Sequence, residues 1–220
     1  MIESPTGPAA LARIFRDAER GSLPTPDGAI RVIRQPSGDD AAVVAFTSSV
    51  LVAADIEPAW VADRLAPGEL SASMNPPFLT ALCERVGREV NGIDLVAYAP
   101  ALEGPPPIDL RETTFVAHQR VSRARRFRTE ARVWTVDGGV LVLGVGLGGR
   151  IELAFEVDPD RRGSGRGRAL ARSARHLVSV LDPDRHGVWA QVAPGNAASV
   201  RTLLAAGFVP MGGEALLVTP

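Results

Sequence analysis

The chain is expected to be an α/β protein in two halves, and three observations carry that expectation. Strand-like alternation and helix-like periodicity follow one another along its length. A glycine-rich turn, VDPDRRGSGRGRAL (157–170), joins the clearest strand to the clearest helix. A proline-rich run with Pro105, Pro106 and Pro107 separates the patterns near the middle. The predicted division is an N-terminal α/β half over 1–104, a linker over 105–112 and a second half over 113–220.

In chain order, MIESPTGPAALARIFRDAERG mixes Arg, Asp and Glu into its apolar residues and reads as a short amphipathic helix rather than a secretory leader. Ala41 to Ala54 predicts a strand or a tight hairpin. Asp55 is placed to cap a helix with Pro58 in its first turn, running through Trp60, Val61 and Leu65. A loop over 66–77 leads to a helix from Phe78 to Val90, whose stripe Phe78, Leu79, Leu82 and Val86 makes Cys83 a buried apolar residue. Gly92 precedes a strand from Ile93 to Tyr98. Beyond the linker come a strand from Thr113 to Ala117 and a basic helix over 118–128, with Val121, Ala124 and Phe127 inward. Gly144, Gly146, Gly148 and Gly149 read as a hairpin turn. Arg150 to Val157 alternates Ile151, Leu153, Phe155 and Val157 with Glu152, Ala154 and Glu156, as a half-buried strand does. The helix after the glycine turn carries Leu170, Ala174, Leu177, Val178 and Leu181 on one face and Arg168, Arg172 and Arg175 on the other. A last strand-helix pair follows from Val188. Asn196 is its N-cap, Ala197, Val200, Leu203 and Leu204 its stripe, and Gly207 its end.

The chemistry begins at the glycine turn. Gly163, Gly165 and Gly167 let the backbone fold tightly and aim successive N–H groups at the positive end of a helix, which predicts an anionic ligand, a phosphate or pyrophosphate. A P-loop needs a lysine, and this chain has arginine throughout and no lysine, which also removes Schiff-base chemistry. The spacing does not suit a Rossmann fingerprint. One cysteine excludes an internal disulfide framework and a cysteine metal cluster. A net charge of −1 gives no global field toward nucleic acid or anionic membranes. No apolar run reaches the roughly 20 residues of a membrane span, and the expected location is the cytoplasm. Abundant Ala, Gly and Pro with arginine in place of lysine is the composition of a high-GC bacterial genome.

The pattern Arg162-Gly163-Ser164-Gly165-Arg166-Gly167, preceded by Val157-Asp158-Pro159, has a second motif about thirty residues on, Val188 to Phe208, with Asn196 and a closing Gly207-Phe208. Together they resemble the GNAT superfamily of acyl-CoA N-acyltransferases, over about 115 to 220. The resemblance implies a mixed, mainly antiparallel twisted sheet flanked by helices. The N-terminal half is similar to the degenerate half of two-part, glycine N-acyltransferase-like proteins. It implies acetyl-CoA as co-substrate, without a metal, held by Phe155, Val157, Arg162, Gly163, Ser164, Gly165, Arg166, Gly167, Arg168, Asn196 and Ser199. An amine would attack the thioester directly, with Glu152 or Glu156 as general base. His118 is a further base candidate, while His176 and His186 read as structural. The family's tyrosine acid is replaced by Leu203, and the sole tyrosine, Tyr98, is assigned to the other half. That departure leaves a second reading open, a non-catalytic acyl-CoA-binding or regulatory protein. The expected acceptor is a small-molecule or peptide amine, with no nucleic acid and no membrane as partner and a homodimer left open. The five arginines of 118–128 are expected to form a solvated helix face; recognition of an anionic acceptor is the second reading, with the coenzyme's 3′-phosphate and nucleic acid as further ones.

Overall fold

The computed structural model describes residues 9–38, 40–114 and 116–220. In chain order the elements are α1 (Ala10–Glu19), β1 (Ala29–Ile33), β2 (Ala41–Phe46), β3 (Ser49–Ala53), α2 (Pro58–Ala62), α3 (Pro76–Val86), β4 (Glu89–Pro100), β5 (Arg111–Thr113), α4 (Gln119–Phe127), β6 (Thr129–Val136), β7 (Gly139–Val145), β8 (Ile151–Val157), α5 (Arg166–Leu181), β9 (Gly187–Val192), α6 (Ala197–Ala205) and β10 (Val209–Val218). Two compact units form, Met1–Val96 with Met211–Pro220, and Ala97–Pro210.

In the first unit the strand order is β1-β3-β2-β10 followed by the first part of β4. Ala41 to Ala54 resolves as a hairpin, with β2 and β3 antiparallel from Phe46↔Ser49 to Ala42↔Ala53. Val43, Val50, Val52, Phe78, Leu82 and Leu217 share one core, so α3 and the sheet close on each other. Two local expectations change. The cap of α2 is Glu57, because Asp55 turns its carboxylate to the Gln35 N–H at 3.2 Å. Cys83 is half-buried rather than buried, and burial, with the charge of Glu89 second, pushes its thiol up.

The second unit orders its strands as the last part of β4, then β9-β8-β7-β6-β5. β5–β6, β6–β7 and β7–β8 are antiparallel, and β8–β9 is parallel. Helices flank both faces. On one, Val121 and Ala124 of α4 pack with Val133, Val140 and Val142, and Ala154 of β8 joins them. On the other, α5 buries Leu170, Ala171, Ala174 and Val178. The fold is therefore mixed and mainly antiparallel, flanked by helices.

The unit boundary differs from the one the proline run predicts, and that run lies inside the second unit. Residues 211–220 belong to the first unit because β10 pairs with β2, from Gly213↔Ala45 to Leu217↔Ala41. Pairing between residues so far apart leaves no local pattern to read. Phe115, in the predicted strand from Thr113 to Ala117, lies outside the described residues; β5 ends at Thr113. Leu204, expected in the stripe of α6, is 47% exposed, whereas Leu203 is buried.

Candidate active site

Strand β8 positions everything that follows. Its pairing with β7 runs the whole length, from Val145↔Ile151 to Gly139↔Val157. Its register with β9 is Glu152↔Trp189 and Leu153↔Ala190, near its start. Asp158 N–H donates to Gly138 O at 3.0 Å, so strand alternation turns the backbones of Phe155 and Val157 away from β7, toward the β9 side. There Arg162 Nε donates to Val157 O at 3.1 Å, and the Val157 N–H points the same way.

The loop between β8 and α5 is held in the left-handed region by Gly163 (φ 76°) and Gly165 (φ 80°). A Cβ at either would meet nothing within 4 Å, so backbone conformation, not crowding, requires glycine there. Gly165 is the residue before α5, and the first bond inside the helix is Ala169 N–H to Gly165 O at 3.1 Å. The N–H groups of Arg166, Gly167 and Arg168 are thus free of intrahelical partners. Gly167 has another reason for lacking a side chain. A Cβ there would sit 3.3 Å from Thr202 Cγ2 and 3.5 Å from Phe155 Cε2, so glycine lets α5, α6 and β8 approach closely.

These pieces surround a cleft of about 560 Å³. Of the residues expected to hold a coenzyme, the structure brings Phe155, Val157, Arg162, Gly163, Gly165, Gly167, Arg168, Asn196 and Ser199 to it. Ser164 and Arg166 instead line a neighbouring cavity of about 700 Å³ with Pro107 and Ile108. Ser164 Oγ donates to Arg161 O at 2.7 Å, and the Arg166 guanidinium bonds Asp137 O. Asn196 is the N-cap of α6, its Oδ1 accepting from Ser199 N–H at 3.1 Å. Arg201 and Thr202 also line the cleft and were not singled out from the sequence. For Thr202 the signal was helical spacing, since it follows Ser199 by about one turn. Among the described residues, five arginines and one glutamate face the cleft, which favours an anion.

The two candidate bases separate sharply. Glu152 is buried between Arg150 Nε at 2.9 Å and Arg128 Nε at 3.0 Å. Burial alone would raise its carboxyl, but the charges of Arg150 and Arg128, with hydrogen bonds from Arg150 and Gln191, hold it below the ordinary carboxylate range. Gly146 belongs to the same construction, because a side chain there would run into the Glu152 carboxylate. The half-buried alternation expected of β8 accordingly fails at its start, where Ile151, Glu152 and Leu153 are all buried. Glu156 is half-exposed at the cleft, paired with Arg120 Nε at 3.3 Å.

His118 is the N-cap of α4, its Nδ1 accepting from Arg120 N–H at 3.0 Å, which assigns it to holding the helix start. His176 Nδ1 lies 3.1 Å from Gly104 O. Tyr98, assigned from sequence to the other half, belongs to the second unit. It is buried with its ring centroid 5.1 Å from that of Trp189. A Cβ at Gly187, where β9 begins, would lie 2.5 Å from the Tyr98 hydroxyl oxygen. The cleft is at the far end of β9, and Tyr98 is not among the residues that line it.

With this geometry in hand, known proteins offer a comparison. The chain resembles the GNAT N-acetyltransferases. A GCN5-related N-acetyltransferase from Sphaerobacter thermophilus is 15% identical with a TM-score of 0.39, over 66% of this chain and 56% of that one. One from Kribbella flavida is 14% identical with a TM-score of 0.39, over 66% and 64%. A tandem GNAT protein from the clavulanic acid biosynthesis pathway is 12% identical with a TM-score of 0.40, over 65% and 58%. The chain thus spans less than two thirds of the length of these GNAT proteins. No family model and no curated protein matches it.

Proposed function

We propose that the second unit binds an acyl-coenzyme A, acetyl-CoA in the simplest case, and transfers the acyl group to a primary amine. One observation carries the reading: left-handed Gly163 and Gly165 and the free start of α5 open, with Arg162 and Arg168, onto the cleft beside the β9-facing edge of β8. An anion cradle joined to an open strand edge suits a ligand with a pyrophosphate at one end and an extended amide chain at the other.

In this mechanism the coenzyme supplies an activated thioester carbonyl. The backbone N–H groups of Phe155 and Val157 face the slot and are the donors available to an extended chain or a developing oxyanion. Glu156, rather than Glu152, accepts the proton that the amine gives up as its nitrogen bonds the carbonyl carbon. The C–S bond breaks with its electron pair on sulfur, and the proton taken up by Glu156 is returned through water to the thiolate, since neither Leu203 nor Tyr98 supplies one. Glu152 holds Arg128 and Arg150 in place beneath the site.

The buried Leu203 also supports a second reading, an acyl-CoA-binding protein without turnover. Calorimetric titration with acetyl-CoA and coenzyme A, followed by thiol release with a panel of amines, tests both. Binding with amine-dependent thiol release is expected, whereas binding without release across the panel favours the second reading. Gly165→Glu places a carboxylate in the cradle and should abolish binding; full affinity in that folded variant would sink the site.

A further inference from the structure

We infer that the amine accepted by this chain carries a carboxylate, set several ångströms from the amine beside an apolar or aromatic body. The inference rests on the acyl-transfer reading above. It comes from how the structure sorts the five arginines of 118–128. Three have protein partners. Arg120 pairs with Glu156 at 3.3 Å, Arg125 donates to Thr114 O at 3.0 Å, and Arg128 is divided between Glu152 at 3.0 Å and Gln191 at 3.2 Å.

Arg123 and Arg126 differ from these. Both guanidiniums lie 5.4 Å from the ring centroid of Phe127, and neither has a carboxylate partner among the described residues. The two line a cavity of about 380 Å³ together with Phe127, Arg120, Ser122 and Glu156. Arg120 and Glu156 line the coenzyme cleft as well, so they form the wall common to both spaces. Since Arg120 and Glu156 offset each other, the cavity keeps the positive charge of Arg123 and Arg126. A plain alkylammonium is repelled there, and an amine with a carboxylate is not.

The order of these groups along α4 sets the shape of the molecule. Arg123 and Arg126 follow Arg120 by about 4.5 and 9 Å along the helix axis. An amine at Glu156 therefore places a carboxylate at the two forks when a short spacer separates them. Guanidinium forks receive a carboxylate in two parallel hydrogen bonds, and Phe127 offers a flat apolar surface for the spacer.

The test compares para-(aminomethyl)benzoate with benzylamine, which share the ring and the amine and differ by the carboxylate. In the coenzyme-loaded protein, kcat/KM should favour the carboxylated member by about tenfold or more, as a charge-assisted hydrogen bond implies. Titration of both compounds into coenzyme-free protein, followed by ligand NMR, gives a readout independent of turnover. Binding of para-(aminomethyl)benzoate should exceed that of benzylamine and fall about tenfold in Arg123→Gln/Arg126→Gln. Lysine at both positions should recover part of it.

Equal handling of the two amines, a preference for benzylamine, or binding that the double glutamine variant leaves unmoved overturns the inference. Coenzyme A titration on the same samples separates the two claims. Failure to bind coenzyme A counts against acyl transfer, and coenzyme binding without carboxylate preference counts against the acceptor assignment alone.

Discussion

Strand β8 carries two carboxylates on one face, and its two ends treat them differently. At the start, β7 and β9 both pair with the strand and α4 lies over that face, so Glu152 is closed in with two arginines. Toward the end, beyond the described register with β9, the cleft opens and Glu156 is half-exposed, paired with Arg120. Side-chain alternation cannot separate the two residues. What separates them is their place relative to the neighbouring strand, and that decides whether a carboxylate is sealed into the fold or left open to the cleft.

The largest expected effect comes from breaking the closed end. Glu152→Gln removes a buried carboxylate from between Arg150, which is fully buried, and Arg128, and should cost about 3–5 kcal/mol of stability in denaturant titration. A loss near zero would mean that the pair is solvated. The same difference carries a pH signature. Because the folded carboxyl titrates below its ordinary value, its contribution is present above about pH 4.3 and is lost as pH falls through the lower folded value. Wild type and variant should therefore converge in acid.

At the open end, Glu156→Gln should lower kcat about a hundredfold, equivalent to about 2.7 kcal/mol. Unchanged turnover would place the base elsewhere and erase the contrast between the ends. Gly165→Ala tests the loop that follows. The added methyl meets open space but must adopt φ near 80°, so coenzyme A affinity should fall about tenfold, about 1.4 kcal/mol, without gross loss of fold. Full affinity in that variant would separate the cradle from the coenzyme. The smallest effect is expected for His118→Ala, which removes a cap at a cost of about 1 kcal/mol, recovered by His118→Asn. A hundredfold fall in kcat in both variants would instead make the histidine catalytic.

The parts that could be read from the chain were those decided within a few residues. Gly163 and Gly165 announce left-handed backbone because few other residues tolerate it, and Asn196 announces a helix start because its side chain reaches an N–H three residues on. The periodicity of 118–128 placed Val121 and Ala124 inward for the same reason, whereas Phe127, expected inward with them, is half-buried and lines a cavity. Features decided at a distance left no such trace. Arg128 reaches Glu152 from another element, β10 joins β2 across most of the chain, and Tyr98 belongs to the unit that follows it. Even the second glycine run was half read: its turn was visible, whereas the need to clear Gly146 for a carboxylate was not.

The edge of β8 at Phe155–Val157 carries one more consequence. An unpaired strand edge invites other chains to add a strand and so promotes aggregation. Here Arg162 already occupies the Val157 carbonyl, and the left-handed turn follows within a few residues. The remaining stretch is too brief to template another polypeptide, and the fold presents hydrogen-bonding backbone to a thin extended molecule while denying it to a neighbouring protein.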